Sequence, residues 1–283
     1  MIRFCVRKTR LLLPYLRGTI AVFRRSPSTY TRLLIQLPFV FRGLSRSQSD
    51  RSFLPACAGS DHETSTTSSN PLKSYFNAHE KGRGIWKWIH YFDIYMRHFD
   101  RFVGRDVHIL EIGIYSGGSL EMWRHFFGER CHVYGVDIEA SCRVYENDYT
   151  RVFIGDQADR AFWKSVRGQV PVIDIVIDDG GHKTEQQVVT LEETLPHLAP
   201  GGVYLCEDVH FTNNDFAAYA YGLVKCLNDL PCDDIIAGFA PSEFQKWIDG
   251  IHFYPFAIVI EKARTPVSRF LAPKRGTEWQ PFL

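Results

Sequence analysis

Seven short apolar runs follow one another between residues 107 and 262, and polar segments of helical length separate the first five. In chain order the runs are VHILEIGI, HVYGVDI, RVFIGD, VIDIVIDD, GVYLCEDV, GIHFYP and FAIVIEK. Strands that alternate with helices are typical of a parallel sheet covered on both faces. The last two runs are so close together that only a hairpin can join them. The pattern predicts an α/β fold: a doubly wound, mostly parallel sheet with a C-terminal antiparallel hairpin.

An aromatic-rich segment, residues 84–104, precedes the first of these runs. Its apolar residues recur at helical spacing, at Ile89, Phe92, Tyr95 or Met96, and Phe99. This spacing predicts an amphipathic helix that ends near Gly104, with its aromatic side chains in the core.

Charge separates the N-terminal part of the chain from the rest. Residues 1–70 hold 11 lysines and arginines against three acids, whereas the remainder holds 22 bases against 29 acids. With no acid before Asp50 and many arginines and serines, the first 50 residues predict a mitochondrial or plastid transit peptide. A membrane-surface helix and an untargeted basic tail on a cytoplasmic protein are the alternatives.

This composition predicts three parts of the chain. We expect residues 1–70 to be a disordered targeting segment and linker, residues 71–263 a catalytic domain, and residues 264–283 a tail packed on that domain. The apolar bursts near the N-terminus are interrupted by arginines before they reach the ~18 residues of a membrane span. The acidic balance of the folded part argues against nucleic acid as a partner. Whether the chain forms a homo-oligomer stays open.

Metal and disulfide frameworks based on cysteine are disfavoured. The seven cysteines are scattered and form no CxxC pair, so neither a zinc site nor a disulfide framework is indicated.

Chemistry-bearing residues follow the predicted strands, at the edge where ligands of such sheets bind. The first strand ends in LEIGIYSGGS, in which Glu111, Gly113 and Gly117 precede a helix that opens at Ser119. Glycines there let the backbone turn tightly and let a ligand approach. A dinucleotide fingerprint would need glycine where Tyr115 stands, which counts against NAD.

The next two strand ends carry groups that suit a nucleoside. Asp137 ends VYGVD and could accept the hydroxyls of a ribose. Asp156 and Gln157 follow the third strand, where a carboxylate could accept an adenine amino hydrogen. Each residue alone has a structural alternative as a cap or turn residue, but three consecutive strand ends with suitable groups favour a cofactor site.

The fourth and fifth strands end in acids. Asp179 and His182 lie in IDDGGH, and Glu207 and Asp208 lie in LCEDVH. Three carboxylates on neighbouring strand ends are hard oxygen ligands, which suit magnesium or calcium rather than zinc. A metal and a histidine together could activate an alkyl hydroxyl, which is too weakly acidic to react unaided. Alternatively, His182 packs against or caps the next helix.

These motifs together resemble the class I S-adenosylmethionine-dependent methyltransferases. More narrowly, LEIGIYSGGS, VYGVDIE, FIGDQAD, IDIVIDDGGH and PGGVYLCEDVH resemble the metal-dependent sugar O-methyltransferases that act on macrolide antibiotics. The resemblance implies a Rossmann-like methyltransferase fold and S-adenosylmethionine as cofactor. It implies that Glu111, Gly113 and Gly117 hold the methionine part, with Asp137 at the ribose and Asp156 at the adenine.

The resemblance also implies the catalytic machinery. Asp179, Glu207 and Asp208 would bind Mg²⁺, and His182 would act as general base. The methyl acceptor stays open, because a sugar, a catechol or another small diol would satisfy the same metal. The alternatives are a domain that binds a nucleoside or sugar without catalysis, and a hydroxylase-like oxidoreductase on the same fold.

Overall fold

The continuously described part of the chain begins at Asn70. The computed structural model describes residues 70–210, 214–230 and 238–277, together with Pro38, Val40 and Arg42, which are helical and exposed. The chain divides between Thr66 and Thr67 into two units, and the sheet belongs to the second. Apart from those three residues and Asn70, the predicted transit peptide and linker lie outside the described residues and stay predictions.

A seven-stranded sheet forms the centre of the domain. Its strands are β1 (Val107–Ile112), β2 (Cys131–Asp137), β3 (Thr150–Ile154), β4 (Ile173–Asp178), β5 (Leu198–Cys206), β6 (Ile248–Tyr254) and β7 (Ala257–Lys262). Their order across the sheet is β3-β2-β1-β4-β5-β7-β6. The first five strands run parallel, and β7 pairs antiparallel with both β5 and β6. The predicted doubly wound sheet with a C-terminal hairpin is therefore confirmed.

Helices cover both faces of the sheet. They are α1 (Pro71–Ala78), α2 (Tyr91–Phe99), α3 (Gly118–Phe127), α4 (Arg160–Arg167), α5 (Thr184–Thr194), α6 (Phe216–Leu227) and α7 (Glu243–Trp247). Buried side chains of α1, α2 and α3 form one core cluster with the sheet. Those of α4, α5 and α6 form a second cluster on the opposite face. Within the described ranges, no helix is both long and apolar enough to cross a membrane.

The aromatic helix starts later than its spacing predicts. It begins at Tyr91, and a short 3₁₀ turn, Asp100–Phe102, continues it. Residues 84–88 have no regular secondary structure. Tyr95 and Phe99 are fully buried as predicted, whereas Ile89 is 48% exposed and does not belong to the core. The irregular segment reaches over the carboxyl ends of the strands, and this placement brings it into the candidate site.

The C-terminal segment is described as far as residue 277. Phe270 forms an isolated antiparallel bridge with Phe239, and the Val267 amide donates to the carbonyl of Lys246. The rest of the predicted tail, residues 278–283, lies outside the described residues.

Candidate active site

A cavity of about 770 Å³ opens at the carboxyl ends of the parallel strands. That volume is typical of a site for a small molecule or cofactor. Nine of the eleven residues singled out from the sequence line it, and the two that do not are Glu111 and Gly117. The irregular segment that precedes α2 closes one side of the cavity. The fold therefore brings most of the predicted site residues together.

The glycine turn after β1 packs directly against the turn after β4. Gly113 has a φ of +82°, and a Cβ atom there would lie 2.1 Å from the carbonyl oxygen of Asp179. Gly117, with a φ of +74°, precedes α3, and an added Cβ would lie 2.9 Å from the ring of Tyr145. Only glycine fits both the backbone conformation and the contact at these positions. The glycine turn after β1 and the IDDGGH turn are thus fixed against each other.

Glu111 lies beneath this turn and is fully buried. Its Oε2 atom accepts hydrogen bonds from Ser119 Oγ at 2.9 Å and Trp123 Nε1 at 3.1 Å. Its Oε1 atom has no hydrogen-bond partner among the described residues and lies 3.7 Å from Lys87 Nζ. Burial raises the pKa of Glu111 to about 7, although the Lys87 ammonium opposes that shift. The Ser119 hydroxyl therefore orients Glu111.

Asp137 and Asp156 are presented to the cavity by local backbone hydrogen bonds. Asp137 Oδ2 accepts from the Tyr115 amide at 3.1 Å, and its Oδ1 accepts from the Glu139 amide at 2.9 Å. Asp156 Oδ1 accepts from the Ala158 amide at 2.8 Å, and the residue is exposed. Both carboxylates keep lone pairs available for a ligand.

Gln157 holds the IDDGGH turn in place. Its Nε2 donates to Asp178 Oδ1 at 3.0 Å and to Thr190 Oγ1 at 3.1 Å, and its Oε1 accepts from the Gly181 amide at 2.7 Å. Asp178 also accepts from the Tyr204 hydroxyl at 3.0 Å, and burial raises the pKa of Asp178 to about 6. Asp178 is fully buried and both of its oxygens accept hydrogen bonds inside the protein, so its role is structural.

Asp179, His182 and Asp208 offer ligand atoms that all lie within 4.8 Å of one another. His182 Nε2 lies 3.9 Å from Asp179 Oδ1 and 3.8 Å from Asp208 Oδ2. Asp208 Oδ1 accepts hydrogen bonds from Trp88 Nε1 at 3.0 Å and from the Tyr91 hydroxyl at 2.9 Å. Two carboxylates and an imidazole therefore meet at the cavity wall.

Backbone strain is concentrated at this wall. Four non-glycine residues in the described part of the chain have a positive φ, and three of them, Tyr115, His182 and Asp208, line the cavity. Each such conformation costs on the order of 1 to 3 kcal/mol and persists where the surroundings enforce it, most often at functional sites.

Lys87 is the residue that sequence reasoning missed. Its Nζ donates to Asp179 Oδ2 at 2.6 Å and to both Glu207 oxygens at 3.1 and 3.0 Å. Glu207, 1% exposed, also accepts from the Tyr95 hydroxyl at 2.6 Å. Glu207 therefore contacts Lys87 and Tyr95 and is not part of the group formed by Asp179, His182 and Asp208. A single lysine among aromatics, in GIWKWIHYF, was the available signal.

The acids around Lys87 outnumber the cations. Burial disfavours the ammonium of Lys87, but Asp179, Glu207 and Glu111 outweigh burial and raise its pKa. Burial and the Asp179 charge raise the pKa of Glu207. Among the described residues that line the cavity, Lys87 is the single lysine or arginine, against five acids. The cavity can therefore accommodate further positive charge.

Comparison with known proteins agrees with this geometry. Residues 110–209 match a protein family described as a methyltransferase domain. Demethylmacrocin O-methyltransferase of Streptomyces fradiae is 34% identical over 207 residues, which are 62% of this chain and 50% of that protein. Mycinamicin VI 2''-O-methyltransferase of Micromonospora griseorubida is 32% identical over 193 residues, 60% of this chain and 47% of that protein. The predicted resemblance is confirmed.

A solved structure supports the same conclusion about the fold. The MycE methyltransferase of the mycinamycin biosynthetic pathway, solved in complex with Mg and SAH, aligns with a TM-score of 0.56 and 28% identity. The alignment covers 69% of this chain and 54% of that chain. The fold is thus the Rossmann-like methyltransferase fold. The chain spans about half the length of the curated relatives it matches.

Proposed function

We propose that this protein is a metal-assisted, S-adenosylmethionine-dependent O-methyltransferase that acts on a hydroxyl of a sugar or another small diol. The observation that carries the proposal is one cavity in which the glycine turn of β1 and Asp137 adjoin the group formed by Asp179, His182 and Asp208. A nucleoside-type cofactor site and a hydroxyl-activating site are then direct neighbours. The sugar O-methyltransferases similar to this chain are named for the same reaction type.

The cofactor side of the cavity suits S-adenosylmethionine in shape and charge. Gly113 gives the backbone its tight turn, and Asp137 is oriented by two amides to accept ribose hydroxyls. Asp156 is the proposed contact to the adenine. Glu111 accepts from Ser119 through Oε2, and its Oε1 has no hydrogen-bond partner among the described residues. The excess of acids favours a cofactor that carries a sulfonium and an ammonium group.

The acidic side suits a hard divalent cation. Asp179, Glu207 and Asp208 are the proposed ligands, and their oxygen donors fit Mg²⁺. Asp179 and Asp208 already lie within 4.8 Å of each other with His182, whereas Glu207 lies on the far side of Lys87. Bound there, the ion would lower the pKa of a hydroxyl that it coordinates.

His182 is the proposed general base. Its imidazole is about one-third exposed, at 36%, and faces the cavity between two carboxylates. Those carboxylates stabilise the imidazolium that forms when His182 accepts the hydroxyl proton. The acceptor oxygen then forms a bond to the methyl carbon as the carbon–sulfur bond breaks, and the electron pair stays on sulfur. Turns held by Gly113 and Gln157 fix His182 relative to the cofactor side.

The rival functions lack support from the site. A domain that binds a nucleoside without catalysis needs Asp137 but has no use for a strained histidine between two acids. A hydroxylase-like oxidoreductase needs a redox centre, for which iron is commonly held by two histidines and a carboxylate. The cavity wall offers His182 with two carboxylates instead, which suits Mg²⁺ better.

The experiment that tests the proposed function is methyl transfer by the full chain. The purified protein is incubated with radiolabelled S-adenosylmethionine, Mg²⁺ and panels of rhamnosides, other glycosides and catechols. We expect label in an acceptor and stoichiometric S-adenosylhomocysteine. Tight retention of the cofactor with no transfer to any panel would favour the binding alternative, and failure to retain it would contradict the proposal.

Targeting to an organelle is a separate proposal, supported by the composition of residues 1–70 alone. Fusing this segment to a fluorescent protein should direct the fusion to mitochondria or plastids. A uniform cytosolic signal would contradict it.

A further inference from the structure

Lys87 lies where a cation that bridges the acids of β4 and β5 would have to lie. Its Nζ is 2.6 Å from Asp179 Oδ2 and 3.0 Å from Glu207 Oε2. Asp179 uses the other oxygen, Oδ1, on the side of His182 and Asp208. The ammonium and a divalent ion would therefore share one carboxylate and compete for a second.

The surroundings of Lys87 keep this ammonium in place. Its side chain is 3% exposed. Trp88, the next residue, donates to Asp208 at 3.0 Å and packs on Phe256 with ring centroids 5.3 Å apart. The Trp88 contacts anchor the segment that carries Lys87. The Lys87 ammonium in turn offsets the repulsion among the buried carboxylates when no other cation is bound.

We propose that Lys87 is an internal counter-cation that holds Asp179 and Glu207 in place and competes with the divalent ion for them. Its ammonium makes metal binding weaker and more reversible than three carboxylates alone would allow. The inference rests on the metal site of the proposed function, but it does not require methyl transfer. The ammonium and a divalent ion that share the Asp179 carboxylate would repel each other strongly in a poorly solvated site.

The test measures Mn²⁺ binding by the full chain, using the electron paramagnetic resonance signal of free Mn²⁺. Lys87→Met removes the charge while keeping a long unbranched side chain, and Lys87→Arg keeps the charge. Lys164→Met removes an exposed charge on α4 that does not belong to the cavity lining. We expect Lys87→Met to bind Mn²⁺ about tenfold more tightly or better. Lys164→Met and Lys87→Arg should stay within about threefold of wild type.

Four outcomes would overturn the inference. Equal or weaker Mn²⁺ binding by folded Lys87→Met would show that Lys87 does not compete with the ion. Equally tight binding by the Arg and Met variants would assign the effect to shape instead of charge. If Lys87→Met folds poorly without metal, its melting temperature is followed against Mn²⁺ concentration. A rise no larger than that of wild type, or no folding at saturating Mn²⁺, would also count against the proposal.

The proposed function fails separately from this inference. If neither wild type nor Lys87→Met binds Mn²⁺, the metal-assisted mechanism is wrong. If wild type binds and Lys87→Met binds no more tightly, only the role of Lys87 is wrong. Binding by the Met variant alone would support the competition but contradict a metal-assisted function of the wild-type protein.

Discussion

Two ion clusters of this domain have opposite charge balances. In the cluster at the strand ends, three acids lie within 3.7 Å of the single ammonium of Lys87. In the cluster between α2 and the β6–β7 hairpin, one carboxylate, Glu261, accepts from Arg101 at 2.7 Å. The same carboxylate lies 3.3 Å from the ring of His98 and 2.9 Å from that of His252. Excess acid characterises the first cluster, and excess base the second.

The pKa shifts of the acids follow this difference. Burial raises the pKa of Glu111 to about 7 in the first cluster. Hydrogen bonds from His98 and Arg101 hold the pKa of Glu261 well below its usual range. An acid that is surrounded by several basic partners stabilises the fold without an additional cation. A group of buried acids that outnumbers its partners favours an additional cation, and this is the physical basis for placing the metal at the strand ends.

Removal of the divalent ion should have the largest effect on methyl transfer, because it changes the charge balance of the acidic cluster. Without a second cation, the acidic cluster loses the charge that activates the hydroxyl, which is worth several kcal/mol. Chelation should therefore lower methyl transfer by about 10³-fold or more. Mg²⁺ added in excess of the chelator should restore the rate. Full turnover by an enzyme shown to be metal-free would contradict the account.

Replacement of His182 should have the next largest effect. His182→Ala should lower kcat by about 10² to 10⁴-fold, the usual contribution of a general base, and leave cofactor affinity unchanged. His210→Ala, which removes an exposed imidazole from the same cavity, is the matched control. His182→Gln should bind Mn²⁺ as wild type does, and a tenfold loss would make His182 a ligand instead of a base. A folded variant with wild-type turnover would remove His182 from the mechanism.

Replacement of Asp137 should weaken cofactor binding and leave metal binding unchanged. Asp137→Ala removes charged hydrogen bonds worth about 1.5 to 3 kcal/mol, so calorimetry should show cofactor binding weakened about 10- to 150-fold. Asp148→Ala, an exposed acid outside the cavity lining, should bind the cofactor normally. Unchanged affinity in Asp137→Ala would show that the ribose is held elsewhere.

Replacement of Glu261 should lower the stability of the fold and leave activity intact. Because its folded-state pKa is lowered, it stabilises the fold above the unfolded pKa of about 4.3 and loses that contribution as the pH falls through the folded value. Glu261→Gln should therefore cost about 1 to 3 kcal/mol at pH 7 and progressively less below pH ~4. Denaturant melts across this range measure the difference. A constant cost at every pH would mean that packing, and not charge, is lost.

The strands and the polar residues at their ends could be predicted from the sequence because they are local features. Alternation of apolar runs and helices gave the sheet, and parallel strands bring their carboxyl ends to one edge. That rule brought Asp137, Asp179 and Asp208 to one cavity without any knowledge of packing.

The partners of those residues were not predictable by the same rule. Lys87 is separated from Asp179 by 92 residues and from Glu207 by 120. Their contact depends on how the irregular segment before α2 lies across the strand ends, which periodicity does not encode. Gln157 shows the same limit, since its amide donates to Asp178 at the end of β4 and accepts from Gly181 in the following turn, 21 and 24 residues away.

The central claim is that the cluster with excess acid binds a divalent cation and the Glu261 cluster does not. The most direct test is anomalous diffraction from crystals of the full chain grown with Mn²⁺ and S-adenosylhomocysteine. The account predicts a peak about 2.0 to 2.6 Å from carboxylate oxygens of Asp179 and Asp208. Absence of a peak there, or a peak held by His98, His252 and Glu261, would contradict it.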